Sequence, residues 1–92
     1  MTSPRKRPVT VAATQMACDW DFDANIARAE RLVGKAAEQG ANVILLQELF
    51  ETPYFCIEQD VRHLRLATPL DQNAAVRRLP PLARELGVVL PV

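Results

Sequence analysis

The stretch ANIARAERLVGKAAEQGANVILL, residues Ala24–Leu46, decides the fold of this 92-residue chain. Its first part has apolar side chains every three or four positions, which predicts an amphipathic helix over Ala24–Gln39. The residues of this apolar face are Ile26, Ala29, Leu32, Val33, Ala36 and Ala37. Gly40 follows at the position where a left-handed residue commonly ends a helix. Val43–Leu46 is then apolar at every position, as in a strand buried on both faces of a parallel sheet.

A second apolar strand is predicted on the amino-terminal side of this helix. Val9–Met16 is rich in β-branched and apolar residues and is expected to be buried on both faces. Asp21 or Asp23 can accept hydrogen bonds from the first N–H groups of the helix. Strand, helix and strand joined by short loops predict a βαβ unit, and hence an α/β fold.

The remainder of the chain is less regular. Between residues 54 and 70 a short helix over Glu58–Leu66 could carry Val61, Leu64 and His63 inward. Asp71–Leu86 has a second helical pattern that Pro80-Pro81 interrupts, because proline removes a backbone donor and clashes with the preceding turn. Either a helix ends near Arg78 or a new one begins with Pro81 at its first position. A third apolar strand is predicted at Val88-Val89-Leu90.

Composition excludes several functional classes. The 11 basic and 11 acidic residues cancel, so no general attraction to nucleic acid or to an anionic membrane is expected. The two cysteines, Cys18 and Cys56, and one histidine, His63, predict neither a disulfide framework nor a structural zinc site. Residues 1–8 are expected to be a flexible basic leader. Because the amino-terminal region, including Val9–Met16, lacks a signal-peptide core, a cytoplasmic protein is expected.

Three strands and two helices can barely cover one another's apolar faces. Parallel strands need neighbours on both faces of the sheet. We therefore expect residues 9–92 to be the opening part of a larger α/β domain, although completion by another copy of the chain stays open.

One acidic residue occupies a position suited to chemistry. Glu48 follows the strand Val43–Leu46 closely, at the carboxyl end where ligands bind to α/β sheets. Partial desolvation at such a rim would raise the pKa of a carboxylate and improve it as a general base. A solvated or helix-capping glutamate is the alternative, and Glu51 is a rival for the same role.

Several segments together resemble the start of the nitrilase superfamily of carbon–nitrogen hydrolases. These segments are Val9–Met16, Asn25, Gly40-Ala41, Ile44–Glu51, Tyr54-Phe55-Cys56, Ala67-Thr68-Pro69 and Leu82–Val92. Within the superfamily, LLQELFETPYFC most resembles the amidases that act on a carbamoylated diamine. The usual pair at the end of the second strand is Pro-Glu, and this chain has the variant Gln47-Glu48.

The resemblance implies a four-layer αββα sandwich, of which this chain would carry the amino-terminal βαβ part. It also implies a Glu–Lys–Cys catalytic set in which Glu48 is the general base and a thioester-like intermediate forms on the cysteine. The lysine and the cysteine do not map onto this chain, so residues 1–92 alone are expected to be inactive. The substrate would be a small carbamoyl amine or amide, the full-length enzyme would be a homo-oligomer, and no metal or cofactor is implied.

The other candidate residues have weaker arguments. Tyr54 and Phe55 could line a pocket for a slender alkyl amine, with Glu51 as the partner of a cationic end; core packing is the alternative for both aromatic residues. Cys18 and Cys56 are interpreted as packed or rim thiols, since a nearby carboxylate would raise a thiol pKa rather than lower it. His63 and Lys35 are not expected to be catalytic.

Two alternatives stay open at this point. One is a different amidase of the same superfamily, similar to a ureidopropionase or an ω-amidase. The other is an α/β binding module without chemistry. A dinucleotide-binding site is less well supported, because the three glycines never form the G-x-G-x-x-G pattern.

Overall fold

The computed structural model describes residues 6–92, which form a small parallel sheet with two helices on one of its faces. Strand β1, Val11–Ala13, pairs in parallel with strand β2, Val43–Leu45, so that Val11 lies opposite Val43. A single parallel bridge between Val43 and Val89 adds the end of the chain to the other side of β2. The predicted βαβ unit is confirmed, and the third strand is reduced to this bridge.

Helix α1 spans Phe22–Glu38 and begins two residues earlier than predicted. Asp21 is the residue that caps it, since an Oδ1 atom of Asp21 accepts a hydrogen bond of 3.1 Å from the Ala24 N–H. The helix ends before Gly40, whose φ of 93° is the left-handed conformation that the sequence predicted there.

Helix α2, Ala74–Leu86, continues through Pro80 and Pro81, so both predicted ways of breaking it are wrong. The two prolines deprive the carbonyls of Val76 and Arg77 of their helical donors. All four residues are exposed, and water can therefore hydrogen-bond those carbonyls. Because α2 packs into the core both before and after the prolines, tertiary contacts outweigh the local penalty.

The segment between β2 and α2 forms three short 3₁₀ helices, Phe55–Glu58, Val61–Leu66 and Leu70–Gln72. The predicted helix over Glu58–Leu66 is wrong because Gln59 adopts a left-handed φ of 50° and separates the first two turns. Val61 and Leu64 are 78% and 76% exposed, so the predicted inward orientation of both is also wrong. His63 does turn inward, and its side chain is only 18% exposed.

The core lies between the two helices and one face of the sheet. Its buried apolar residues are Ile26, Ala29, Val33, Ala41, Ile44, Leu46, Phe50, Ala75 and Leu79. An ion pair between Glu30 of α1 and Arg78 of α2 joins the helices at the edge of this core.

The opposite face of the sheet is uncovered within residues 6–92, so these residues alone do not bury the strands on both sides as the sequence predicts for the whole domain. Val11 is 70% exposed, Leu45 53% and Val89 60%, whereas Ile44 on the helix side is fully buried. Side chains alternate between faces along a strand, and these three residues share the exposed face because their strands pair in register. The described residues thus supply one helix layer and one sheet layer.

Two sequence expectations concern the start of the chain and membranes. The predicted leader, residues 1–8, lies largely outside the described residues, and residues 6–8 are exposed. From residue 6 onward, no helix has both the length and the apolar composition that crossing a membrane requires.

Candidate active site

Two loops leave the sheet at its carboxyl edge and build the candidate site. The first follows β1 and contains Met16 and Cys18, and the second follows β2 and contains Gln47 and Glu48. Because parallel strands end at the same edge, these loops meet although about 30 residues separate them in the sequence.

Asn25, at the start of α1, forms hydrogen bonds to both loops. It is fully buried, and its Nδ2 donates to the carbonyls of Asp19 at 2.6 Å and of Glu51 at 2.8 Å. Its Oδ1 accepts from the Asp19 N–H at 3.1 Å. A buried amide that satisfies backbone groups of both loops fixes their separation.

Gln47 makes a second connection between the loops at the rim. Its Oε1 accepts from the Met16 N–H at 2.8 Å, and its Nε2 donates to the Leu49 carbonyl at 3.2 Å. The same Nε2 lies 3.4 Å from the Sγ of Cys18.

Glu48, the predicted general base, is an exposed residue at this rim. Residues 6–92 therefore do not supply the partial burial that the sequence argument assumed for it. Glu48 lines three clefts, and two of them, of about 380 Å³ and about 400 Å³, also contain residues predicted for the site.

The first cleft brings Glu48 together with two of the predicted substrate-binding residues, Glu51 and Phe55. The carboxylate of Glu51 is half-buried and accepts a hydrogen bond of 3.3 Å from the Nδ2 of Asn73. His63 also lines this cleft. The walls are otherwise largely apolar, so the cleft combines apolar surface with two carboxylates.

Tyr54, the third predicted substrate-binding residue, lies on the other side of Glu48. It is 53% exposed and lines the second cleft together with Cys18 and Glu48. The two adjacent aromatic residues Tyr54 and Phe55 therefore face different clefts rather than one common pocket.

Neither cysteine has the surroundings of an activated nucleophile. The Cys18 thiol donates to the Phe50 carbonyl at 3.3 Å. Burial raises the pKa of this thiol, Arg28 opposes the effect, and Asp19 adds to it. Cys56 is exposed, in agreement with its interpretation as a rim thiol.

His63 has surroundings that the sequence did not indicate. Its ring stacks on Trp20 at 5.7 Å with an interplanar angle of 11°, and the Phe55 ring lies 5.1 Å away. Its Nε2 is 3.1 Å from a carboxylate oxygen of Glu58. Sequence reasoning missed this cluster because its members come from separate irregular segments that no periodic pattern connects.

Lys35 lies on the exposed side of α1 and lines none of the clefts that contain Glu48. Over residues 6–92, no group of three or more His, Cys, Asp and Glu side chains is arranged to hold a metal ion.

The fold and site together define an α/β protein with a carboxylate-lined cleft at the carboxyl edge of its parallel sheet. The sequence profile of the carbon-nitrogen hydrolase family matches residues 10–92. The chain belongs to this family.

Several curated proteins with named activities are similar to this chain. The chain is 47% identical over 91 residues to an N-carbamoylputrescine amidase of Arabidopsis thaliana, which is 99% of this chain and 30% of the relative. It is 50% identical over 88 residues to an N-carbamoylputrescine amidase of Solanum lycopersicum, or 96% of this chain and 29% of the relative. A citrullinase of Francisella tularensis is 32% identical over 83 residues, with 90% of this chain and 29% of the relative covered. The chain thus spans about 30% of the length of these relatives.

Proposed function

We propose that this chain is the amino-terminal part of an amidase that hydrolyses N-carbamoylputrescine to putrescine, carbon dioxide and ammonia, and that Glu48 is its general base. The observation that carries the proposal is the position of Glu48, just beyond the carboxyl end of β2, in one cleft with Glu51 and Phe55. Identities of 47% and 50% to amidases of that name support the choice of substrate.

In the proposed reaction, Glu48 accepts the proton of a cysteine thiol, and the thiolate attacks the carbamoyl carbon. One carbon–nitrogen bond breaks, and its nitrogen leaves with the proton that Glu48 returns. Water, deprotonated by the same carboxylate, then hydrolyses the thioester-like intermediate to the free thiol and a carbamic acid, which decomposes to carbon dioxide and the second amine. The nucleophilic cysteine and the lysine that stabilises the oxyanion are assigned to the part of the domain that these 92 residues do not contain.

The cleft beside Glu48 suits a slender substrate with a positive end. Its volume of about 380 Å³ lies within the range of ligand pockets. Phe55 supplies an apolar wall for a methylene chain, and Glu51 supplies a carboxylate for the terminal ammonium. Tyr54 closes the opposite side of Glu48.

The uncovered sheet face supports a larger fold. Val11, Leu45 and Val89 are exposed apolar residues on one continuous surface. Packing of a second sheet against it would give the four-layer αββα sandwich, because sheets stack through their apolar faces about 10 Å apart.

The first experiment measures ammonia release from N-carbamoylputrescine by the full-length protein. Glu48→Gln should lower kcat about 100- to 10,000-fold, the usual contribution of general acid–base catalysis. The control is Glu58→Gln, which removes an exposed carboxylate that pairs with His63 and lines none of the clefts beside Glu48. The proposed role of Glu48 is wrong if both variants retain near wild-type turnover.

A second experiment tests Glu51 with two substrates that differ only in the terminal ammonium group. Glu51→Gln should raise KM for N-carbamoylputrescine about 10-fold, since a charge-assisted hydrogen bond contributes about 1.5 kcal/mol. KM for butylurea, which lacks the terminal ammonium, should change less than twofold. Equal changes for both substrates would remove Glu51 from the binding site.

The same substrate panel distinguishes the other amidases. Faster hydrolysis of 3-ureidopropionate or of an ω-amide would favour the ureidopropionase-like or ω-amidase-like alternative. A homo-oligomer in the cytoplasm stays a prediction, which light scattering of the purified full-length protein and cell fractionation would check.

A further inference from the structure

We infer that Gln47 is a positioning residue that fixes the backbone from which Glu48 reaches the substrate, by hydrogen bonds to the loop after β1 and to the residue after Glu48. This inference rests on the proposed function, because it concerns the geometry of the proposed general base. Gln47 itself does not need to touch the substrate.

The hydrogen bonds of Gln47 fix the chain just before and just after Glu48. Its Oε1 accepts from the Met16 N–H at 2.8 Å, which fixes residue 47 against the first loop. Its Nε2 donates to the Leu49 carbonyl at 3.2 Å, which fixes the residue on the other side of Glu48. The backbone around Glu48 is therefore held at two points by one side chain.

The hydrogen bonds of Gln47 act on Glu48 through its backbone, which sets the point from which the carboxylate reaches into the clefts. Within residues 6–92 its carboxylate makes no hydrogen bond, and the residue is exposed between the two clefts. The carboxylate turns about three side-chain torsions, and the position of the Glu48 backbone sets the region that it can reach. A small shift of a reacting group changes rates strongly, by about 100-fold for 1 Å.

The Cys18 thiol adds to the same connection. Its Sγ lies 3.4 Å from the Nε2 of Gln47 and donates to the Phe50 carbonyl at 3.3 Å. The first loop thus contacts the second loop on both sides of Glu48, and Gln47 is the side chain that joins these contacts.

The chain offers a matched control at the opposite end of the same strand pair. The Oδ1 of Asn42 accepts from the Thr10 N–H at 2.9 Å, just as the amide of Gln47 accepts from Met16. Both bonds connect the flanks of β1 and β2, but Asn42 lies at the amino end of β2, away from Glu48. Loss of either bond should weaken the strand pair to a similar extent, and only one of them should affect catalysis.

The experiment uses the full-length protein with N-carbamoylputrescine and compares Gln47→Met with Asn42→Leu, which are close to isosteric. Gln47→Met should lower kcat about 10- to 100-fold with KM changed less than twofold, because the substrate pocket stays and only the base is misdirected. Asn42→Leu should leave both constants within twofold. Amide hydrogen exchange should become faster at Met16 in the first variant and at Thr10 in the second.

Equal losses of kcat in the two variants, or a rise in KM with kcat unchanged, would overturn the inference. If Gln47→Met does not fold, Gln47→Asn keeps the amide but is one methylene too short to reach both the Met16 N–H and the Leu49 carbonyl, and a decrease in kcat is again expected. If the wild type hydrolyses no ureido or amide substrate, the proposed function fails by itself. The exchange measurement then decides alone, and unchanged exchange at Met16 in Gln47→Met overturns the role of Gln47.

Discussion

Replacement of Asn25 by alanine should destabilise the protein more than the small size of the asparagine side chain suggests. The side chain is fully buried and makes three hydrogen bonds to backbone groups of Asp19 and Glu51, at 2.6, 2.8 and 3.1 Å. At about 1 kcal/mol for each bond, their loss amounts to about 3 kcal/mol. Because Asp19 is exposed, water can replace part of this, and we expect a decrease of about 2–3 kcal/mol in the free energy of unfolding.

Urea unfolding followed by circular dichroism measures this decrease in the free energy of unfolding directly. Asn42→Ala is the comparison, since it removes one hydrogen bond at an exposed site and should reduce the free energy of unfolding by about 0.5–1 kcal/mol. Asn25→Asp should also destabilise strongly, because its carboxylate would face two carbonyl oxygens. The reasoning is refuted if Asn25→Ala lies within 0.5 kcal/mol of Asn42→Ala.

Two other predictions concern α2 and the thiols. Pro80→Ala should raise the free energy of unfolding by about 1–2 kcal/mol, because it restores the N–H donor that the Val76 carbonyl lacks. Thermal unfolding would then show a higher Tm. A lower Tm would mean that the proline ring itself stabilises the helix. Iodoacetamide should modify Cys56 before Cys18, because Cys56 is exposed while burial raises the pKa of the Cys18 thiol and thus lowers its thiolate fraction. Peptide mapping by mass spectrometry measures both rates, and equal rates would contradict the structure around Cys18. Because the pKa is raised in the folded state, the folded chain keeps the Cys18 proton to a higher pH than the unfolded chain does. The stability that this group contributes is therefore fully present below the ordinary thiol pKa. It is lost as the pH rises through the folded-state pKa.

The regular elements could be predicted because their signals are local. The spacing of apolar residues in Ala24–Gln39, the aspartates before it and Gly40 after it together indicated α1 to within two residues. The position of Glu48 after the second strand followed from the same reasoning. Side-chain periodicity and capping depend on near neighbours in the sequence, and for this reason they survive in the folded chain.

The candidate site was predicted only in part. Glu48, Glu51 and Phe55 do line one cleft, whereas Tyr54 lies in the next one. Which cleft each of these two adjacent aromatic residues faces depends on the 3₁₀ turn that begins at Phe55, and no sequence pattern specified that turn.

The sequence by itself determined the βαβ order, the amphipathic helix and the acidic residue at the end of a strand, because each follows from contacts a few residues apart. The tertiary structure decided that α2 continues through its two prolines and that Asn25 and Gln47 join two distant loops beside Glu48. These features depend on contacts between segments about 30 or more residues apart, where packing outweighs local preference and where a single side-chain amide can satisfy backbone groups that no neighbouring residue reaches.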